Sequence, residues 1–223
     1  MSFSSEWDES YKGGTHLSIW PWSDLVSYVM RYVKPQGNDF KVLELGCGAG
    51  ANIPFFLALG VDYYGIEGSS AIVEQLHVRY PNLSEKIVIG DFTKALPFDM
   101  QFDLIVDRAA LTHNNTDSIK QGLSLVWDRL KPDGKFVGID WFSMQHSDYS
   151  AGLEAEDRHS RKNFSTGQFV GIGRVHFSDQ SHLEELFRTF SIQVMEHKLI
   201  TRAIPKQGHI FACWNFIVAK PGS

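Results

Sequence analysis

Cysteine is scarce: Cys47 and Cys213 are the only two in 223 residues. That number supports neither a disulfide framework nor a cysteine-based zinc site, and it suits a reducing compartment. Long apolar runs are missing too. No stretch approaches 18 unbroken apolar residues, and residues 1–38 carry charges and prolines where a signal peptide has its apolar core. The expectation is a cytoplasmic chain without a membrane anchor. Basic charge is not in excess, with 21 Lys and Arg against 26 Asp and Glu and a formal net charge of −5. Nucleic acid is therefore an unexpected partner. There is no internal repeat, no low-complexity tract and no Tyr-x-x-x-Lys pair.

What is present is a strong local signal. The run Val42-Leu43-Glu44-Leu45 reads as a buried strand and passes directly into Gly46-Cys47-Gly48-Ala49-Gly50, after which residues 53–59 carry a helical apolar pattern. A strand, a glycine turn and a helix start bring a nucleotide-like ligand against bare backbone. The next apolar strand ends in Glu67, about 20 residues past the first glycine, where an acid can take both ribose hydroxyls. An adenosine-containing cofactor follows from these residues.

With 43% hydrophobic residues the chain has enough for one sizeable core, and its length suits one α/β domain over residues 1–223. Strands are expected at 40–46, 62–67, 86–90, 103–107 and 135–141, with helices at 22–33, 51–59, 69–79, 116–130 and 180–190. This alternation predicts a doubly wound parallel sheet covered on both faces. Residues 192–203 and 210–219, joined by a short turn at 205–208, predict a closing antiparallel hairpin that supplies one antiparallel member. Four parts follow: an N-terminal lid and helix at 1–38, a cofactor core at 40–140, a segment at 141–178 that covers the acceptor, and a helix and hairpin at 179–220. A loop as long as 141–177 in a compact domain is usually functional or disordered.

Taken together, these residues resemble the class I S-adenosylmethionine-dependent methyltransferases, in order from about Phe40 to Lys220. Glu44-Leu45-Gly46-Cys47-Gly48-Ala49-Gly50 is similar to the family's first motif, whose glycines pass beneath the methionine part of the cofactor. Glu67 matches the ribose-binding acid, and Gly90-Asp91-Phe92 the motif whose aspartate bonds the adenine amino group. Residues 102–107 match the fourth strand, leading to the methyl-transfer site, and 130–135 the turn into the fifth. The resemblance implies a seven-stranded Rossmann-like sheet and S-adenosyl-L-methionine as cofactor. It places that cofactor against Glu44, Gly46, Gly48, Glu67, Gly68, Asp91, Phe92 and Asp107. The fourth strand ends Asp107-Arg108-Ala109-Ala110 rather than in the Asn/Asp-Pro-Pro-aromatic motif of many base and amide methylases, which disfavours those acceptors. The aromatic N-terminus with Trp20-Pro21-Trp22 and the segment 167–177 resemble small-molecule and sugar-modifying methyltransferases, which implies a small-molecule acceptor, a sugar or metabolite methylated on oxygen or nitrogen.

Further residues are singled out by type and place. His113 follows the fourth strand and, with Asp107, is a catalytic candidate; its other reading is a residue ahead of the N-cap chemistry of 114–117. His146, His159 and His176 lie in or beside the covering segment. Tyr149, Arg158 and Arg161 could hold an anionic acceptor, whereas the charges of 154–161 equally read as an exposed helix with i,i+4 pairs. Trp7, Tyr11 and Trp20 could form an aromatic lid over the sulfonium. Asp107 and Asp140 both end strands, but Trp141 stands where a magnesium site would want a further oxygen ligand, so no metal is expected. Two other classes satisfy part of the pattern. A nicotinamide-dependent oxidoreductase shares the glycine loop and Glu67 but lacks a place for the C-terminal hairpin. A non-catalytic binding module would keep the cofactor pocket without turnover.

Overall fold

The computed structural model describes residues 17–222; the expectations for Trp7 and Tyr11 lie outside them. In chain order the elements are α1 (Ser23–Tyr28), β1 (Lys41–Leu45), α2 (Ile53–Ala58), β2 (Asp62–Glu67), α3 (Ser70–Arg79), β3 (Ile87–Ile89), β4 (Phe102–Arg108), α4 (Thr116–Arg129) and β5 (Leu130–Phe142). Then follow β6 (Leu153–Glu154), β7 (Ser160–Lys162), β8 (Val175–His176), α5 (Gln180–Leu186), β9 (Ser191–Thr201) and β10 (Ile210–Ala219).

Seven strands form one sheet in the order β3-β2-β1-β4-β5-β10-β9. The first five are mutually parallel, and β10 runs antiparallel to both β5 and β9. The order reverses at β1, between β2 and β4, the switch point at which doubly wound sheets bind ligands beyond the carboxyl ends of their strands. β5 starts earlier than its apolar run suggests, because a register shift opposite Phe102 and Leu104 absorbs residues 131–134 into the strand.

Buried side chains fill both faces. On one, Leu25, Ile53, Phe56, Ile72 and Leu76 from α1, α2 and α3 pack with Val42, Tyr63, Leu104 and Val106. On the other, Ile119, Leu123 and Val126 of α4 and Leu183 and Leu186 of α5 pack with Leu43, Leu45, Ile66, Ile105 and Phe136. Each fully buried Leu, Ile or Phe contributes about 1.5–3 kcal/mol by leaving water. The caps are local: Asn115 Oδ1 accepts from Ser118 N (2.9 Å) to start α4, and Asp179 Oδ1 accepts from His182 N (2.8 Å) to start α5. The helix expected over 22–33 divides into α1 and a wider π-type turn at Val29–Val33 that stops at Lys34 in the left-handed region. Among the described residues no helix is long and apolar enough to cross a membrane.

The segment after β5 is ordered by its own small antiparallel sheet, β6-β7-β8. The reading of 154–161 as a helix is thereby corrected. Glu154 pairs with Arg161 across the β6–β7 ladder at 3.1 Å, a cross-strand contact and not a helical one. Phe142, Phe164, Phe169, Ile172, Val175 and Phe177 give this segment a third apolar cluster.

Candidate functional site

A cavity of about 430 Å³ opens at the carboxyl ends of the parallel strands. Its floor is the glycine loop. Gly46 and Cys47 donate their N–H groups to Ile66 O (2.8 and 3.2 Å), which draws the loop back onto β2. Gly46 has φ +62°, and a Cβ there would lie 2.4 Å from the Ala110 Cβ, so only glycine fits. Glu67 closes the loop from below: its Oε2 accepts from Gly48 N (2.9 Å) and its Oε1 from Ser69 N (3.0 Å).

Glu44, Gly46, Gly48, Glu67, Gly68, Asp91 and Phe92 all line this cavity, as does His113. Glu44 is 2% exposed and bonded to Asn52 Nδ2 and Tyr63 Oη, each at 2.7 Å. Burial pushes its carboxyl up to about 7, with a further push from Asp107. The Asp91 Oδ1 accepts from the N–H and hydroxyl of Thr93 (3.1 and 2.6 Å), which folds the turn after β3 around it. His113 Nδ1 meets Arg174 O at 3.0 Å; a carbonyl only accepts, so Nδ1 carries the proton and Nε2 the lone pair.

Asp107 is placed differently from expectation. It is fully buried and does not line the cavity; its oxygens accept from Leu111 N (3.0 Å) and Trp141 Nε1 (2.6 Å). It holds the β4 exit in shape, behind the site. Burial raises its carboxyl to about 7 as well. A folded pKa above the unfolded value gives stability that is complete below about pH 4 and is lost as pH rises through 7. The buried His146, His176 and His182, held at about 4, 3 and 4 by desolvation, act in the opposite sense as pH falls from 6.5. The difference between parent and Glu44→Gln cancels the histidines. We expect melting temperature against pH between 4.5 and 8 to fall more steeply with rising pH in the parent; parallel curves would show that Glu44 is not neutralised by burial.

The other end of the cavity comes from residues distant in sequence. The Arg108 guanidinium pairs with Asp140 (3.0 Å) and lies 3.6 Å over the Trp22 ring. Asp140 and Ala109, at the ends of neighbouring strands, both have positive φ (58° and 57°), a conformation that L-residues rarely adopt. Phe142, Phe169, Ile172 and Phe211 form an apolar wall, with Gln168 as its polar member. Gln168 Nε2 is placed 2.9 Å from His146 Nε2, and His146 Nδ1 accepts from Asp148 N (3.0 Å).

Several expectations for the covering segment are corrected. Trp20 is 74% exposed and does not line the cavity; Trp22 does. Arg161 stacks on Tyr149 (4.2 Å) and pairs with Glu154, and Arg158 pairs with Asp179 (3.2 Å), so none of Tyr149, Arg158 and Arg161 faces the cavity. His146 stands behind Gln168, and His159 and His176 belong to a separate group. Asn52, Arg108, Gln168, Phe169 and Phe211 were not singled out by sequence. For Arg108 a signal existed, as a charge directly after an apolar strand.

Residues 42–134 match the family described as a methyltransferase domain. The chain is 30% identical over 98 residues to a protein-L-isoaspartate O-methyltransferase of Chlorobaculum parvum, covering 43% of this chain and 45% of that one. It is 30% identical over 102 residues to an uncharacterized methyltransferase of Oceanobacillus iheyensis, covering 46% and 47%. The chain thus matches about half the length of these curated relatives. Among solved structures, a SAM-dependent methyltransferase of Methanosarcina mazei superposes with TM-score 0.69 at 18% identity, covering 92% of this chain and 100% of that one. The glycopeptide N-methyltransferase MtfA, complexed with sinefungin, superposes with TM-score 0.62 at 17% identity, covering 90% and 86%. At such identities the structural likeness is one of fold. The domain match over residues 42–134 and the glycine loop closed by a buried acid at the sheet's switch point agree with that fold.

Proposed function

We propose that the chain transfers the methyl group of S-adenosylmethionine to an oxygen or nitrogen of a small molecule. The observation that carries this reading is one cavity with two ends: a glycine cradle with two buried acids, Glu44 and Glu67, and an apolar wall with His113 and Gln168. The first end fits the cofactor. Positive-φ glycines leave room that a Cβ would fill at Gly46, and the acids suit a ribose diol and a cationic amino acid. When bound, the cofactor supplies a methyl group already activated on a sulfonium.

The residues then have three tasks. Glu67 and Asp91 hold the adenosine part, and Glu44 sits behind the loop that carries the methionine part. Phe142, Phe169 and Phe211 exclude water from the acceptor and fix its approach, where orientation supplies most of the rate. His113, with its Nε2 lone pair, takes the proton of a hydroxyl acceptor; an amine acceptor needs only to be held uncharged.

Calorimetric titration with S-adenosylhomocysteine, run beside NADH, tests the cofactor. Saturable binding of the first alone is expected, and binding of NADH alone would return the nicotinamide reading. With an acceptor in hand from a methyl-transfer screen, His113→Asn is expected to lower kcat about 100-fold or more for an oxygen acceptor at unchanged cofactor affinity. An unchanged kcat on a hydroxyl substrate removes His113 as the base.

A further inference from the structure

Away from the cofactor cavity, three histidines converge. His159 immediately precedes β7, His176 ends β8 and His182 lies in the first turn of α5. The β7–β8 ladder pairs Ser160 with His176. One ring nitrogen of each histidine lies within 4.8 Å of the other two. All three side chains are buried, at 6%, 0% and 5% exposure.

Their chemistry is that of a ligand set. His176 Nε2 and His182 Nε2 stand 3.1 Å apart. Two nitrogens on one tetrahedral ion at about 2.0–2.1 Å are separated by about 3.3 Å, so this spacing serves coordination as well as a shared proton. His159 Nδ1 meets Phe177 O at 2.9 Å and therefore carries the proton, which leaves Nε2 with its lone pair turned toward Arg158 Nε (3.1 Å). Metal-ligating histidines are commonly oriented in this way, through a carbonyl on the far nitrogen.

Access agrees. His159 and His182 line a polar surface cleft in which Asp117, Glu156, Asp157 and Glu185 stand with Lys120 and Arg158. We propose that His159, His176 and His182 bind one late first-row divalent cation, with zinc as the natural occupant and a water from the cleft completing its coordination. The ring planes of His159 and His182 lie parallel, with centroids 3.7 Å apart. Coordination by both therefore turns one ring about its Cβ–Cγ bond and releases Arg158, which keeps its pairing with Asp179. The ion would clamp the small β6-β7-β8 sheet to α5 and so to the core. The proposal is independent of the methyl acceptor.

The test uses the full chain, without a histidine tag, stripped with a chelator and titrated with zinc against a chromophoric competing chelator. One equivalent is expected to bind, with the visible bands of a tetrahedral or five-coordinate site when cobalt replaces zinc. Zinc should raise the melting temperature by about 5 °C over the chelated protein. His182→Gln should weaken zinc binding by at least ~100-fold and abolish the thermal shift. His159→Gln is the second variant should His182→Gln fail to fold. His209→Asn reports on the other histidine group, His146, Asp148 and His209, and should leave zinc binding unchanged. No zinc binding tighter than about 10 µM in the parent overturns the proposal. So does parent-like affinity in both ligand variants, or a loss that follows His209.

Discussion

Replacing Glu67 with Ala should raise the dissociation constant for S-adenosylhomocysteine by roughly 30- to 700-fold, equivalent to about 2–4 kcal/mol for one or two hydrogen bonds to a charged group. The carboxylate stands at the end of β2, 4% exposed, and already accepts from Gly48 N and Ser69 N. Glu67 also lines the cavity, where a carboxylate is an acceptor suited to a ribose hydroxyl. The same side chain therefore holds the cradle and offers acceptors to its occupant. Alanine leaves the Gly48 N–H and the buried Ser69 N–H without this partner, so the melting temperature of the variant should fall as well. Titration well below that temperature separates the two effects. Parent-like affinity in a folded variant would remove Glu67 from the cofactor set.

Gly138→Ala should be the most damaging small substitution in the sheet, costing about 3 kcal/mol and lowering the melting temperature by roughly 6–12 °C. A Cβ at this position would sit 2.0 Å from Cζ of Phe216 and within 2.6 Å of both Cε atoms. The ring has no room to retreat, because Phe136, Trp141 and Phe187 surround it with centroids 5.8, 4.9 and 4.5 Å away. Relief requires β5 and β10 to part, and β5 carries Asp140 and Phe142 into the cavity. Thermal melts of Gly138→Ala and of Gly138→Ala with Phe216→Leu decide the matter. The smaller side chain should recover part of the loss; no loss in the single variant would show that the two strands are not held together by this packing.

The elements that sequence anticipated are those whose signals are local. Runs such as 42–45 and 104–106 are buried on both faces, and their mostly apolar composition marks them as central strands. The cradle end of the site was legible for the same reason: glycine spacing and the position of Glu67 follow from one strand-turn-helix unit. The acceptor end was not legible. Trp22, Arg108, Gln168 and Phe211 meet only because α1, β4, the covering segment and β10 fold onto one another. Charges misled where they could be read in two registers. Glu154 and Arg161 have spacing that allows a helix, yet a two-residue β ladder joins them, because the flanking phenylalanines are needed in the third apolar cluster. Asp107 was placed correctly on its strand but points to Trp141 and Leu111, a distinction that strand position cannot make.

The small sheet and its apolar cluster stand between β5 and α5, outside the seven-stranded order. Most of the apolar wall belongs to this insert, and none of the cradle does. Such a division frees one half of the molecule to diverge while the other stays fixed. A lineage could exchange residues 143–176 and change what the wall admits without disturbing the cradle, provided that Phe142, Phe177 and Phe211 continue to form the seam.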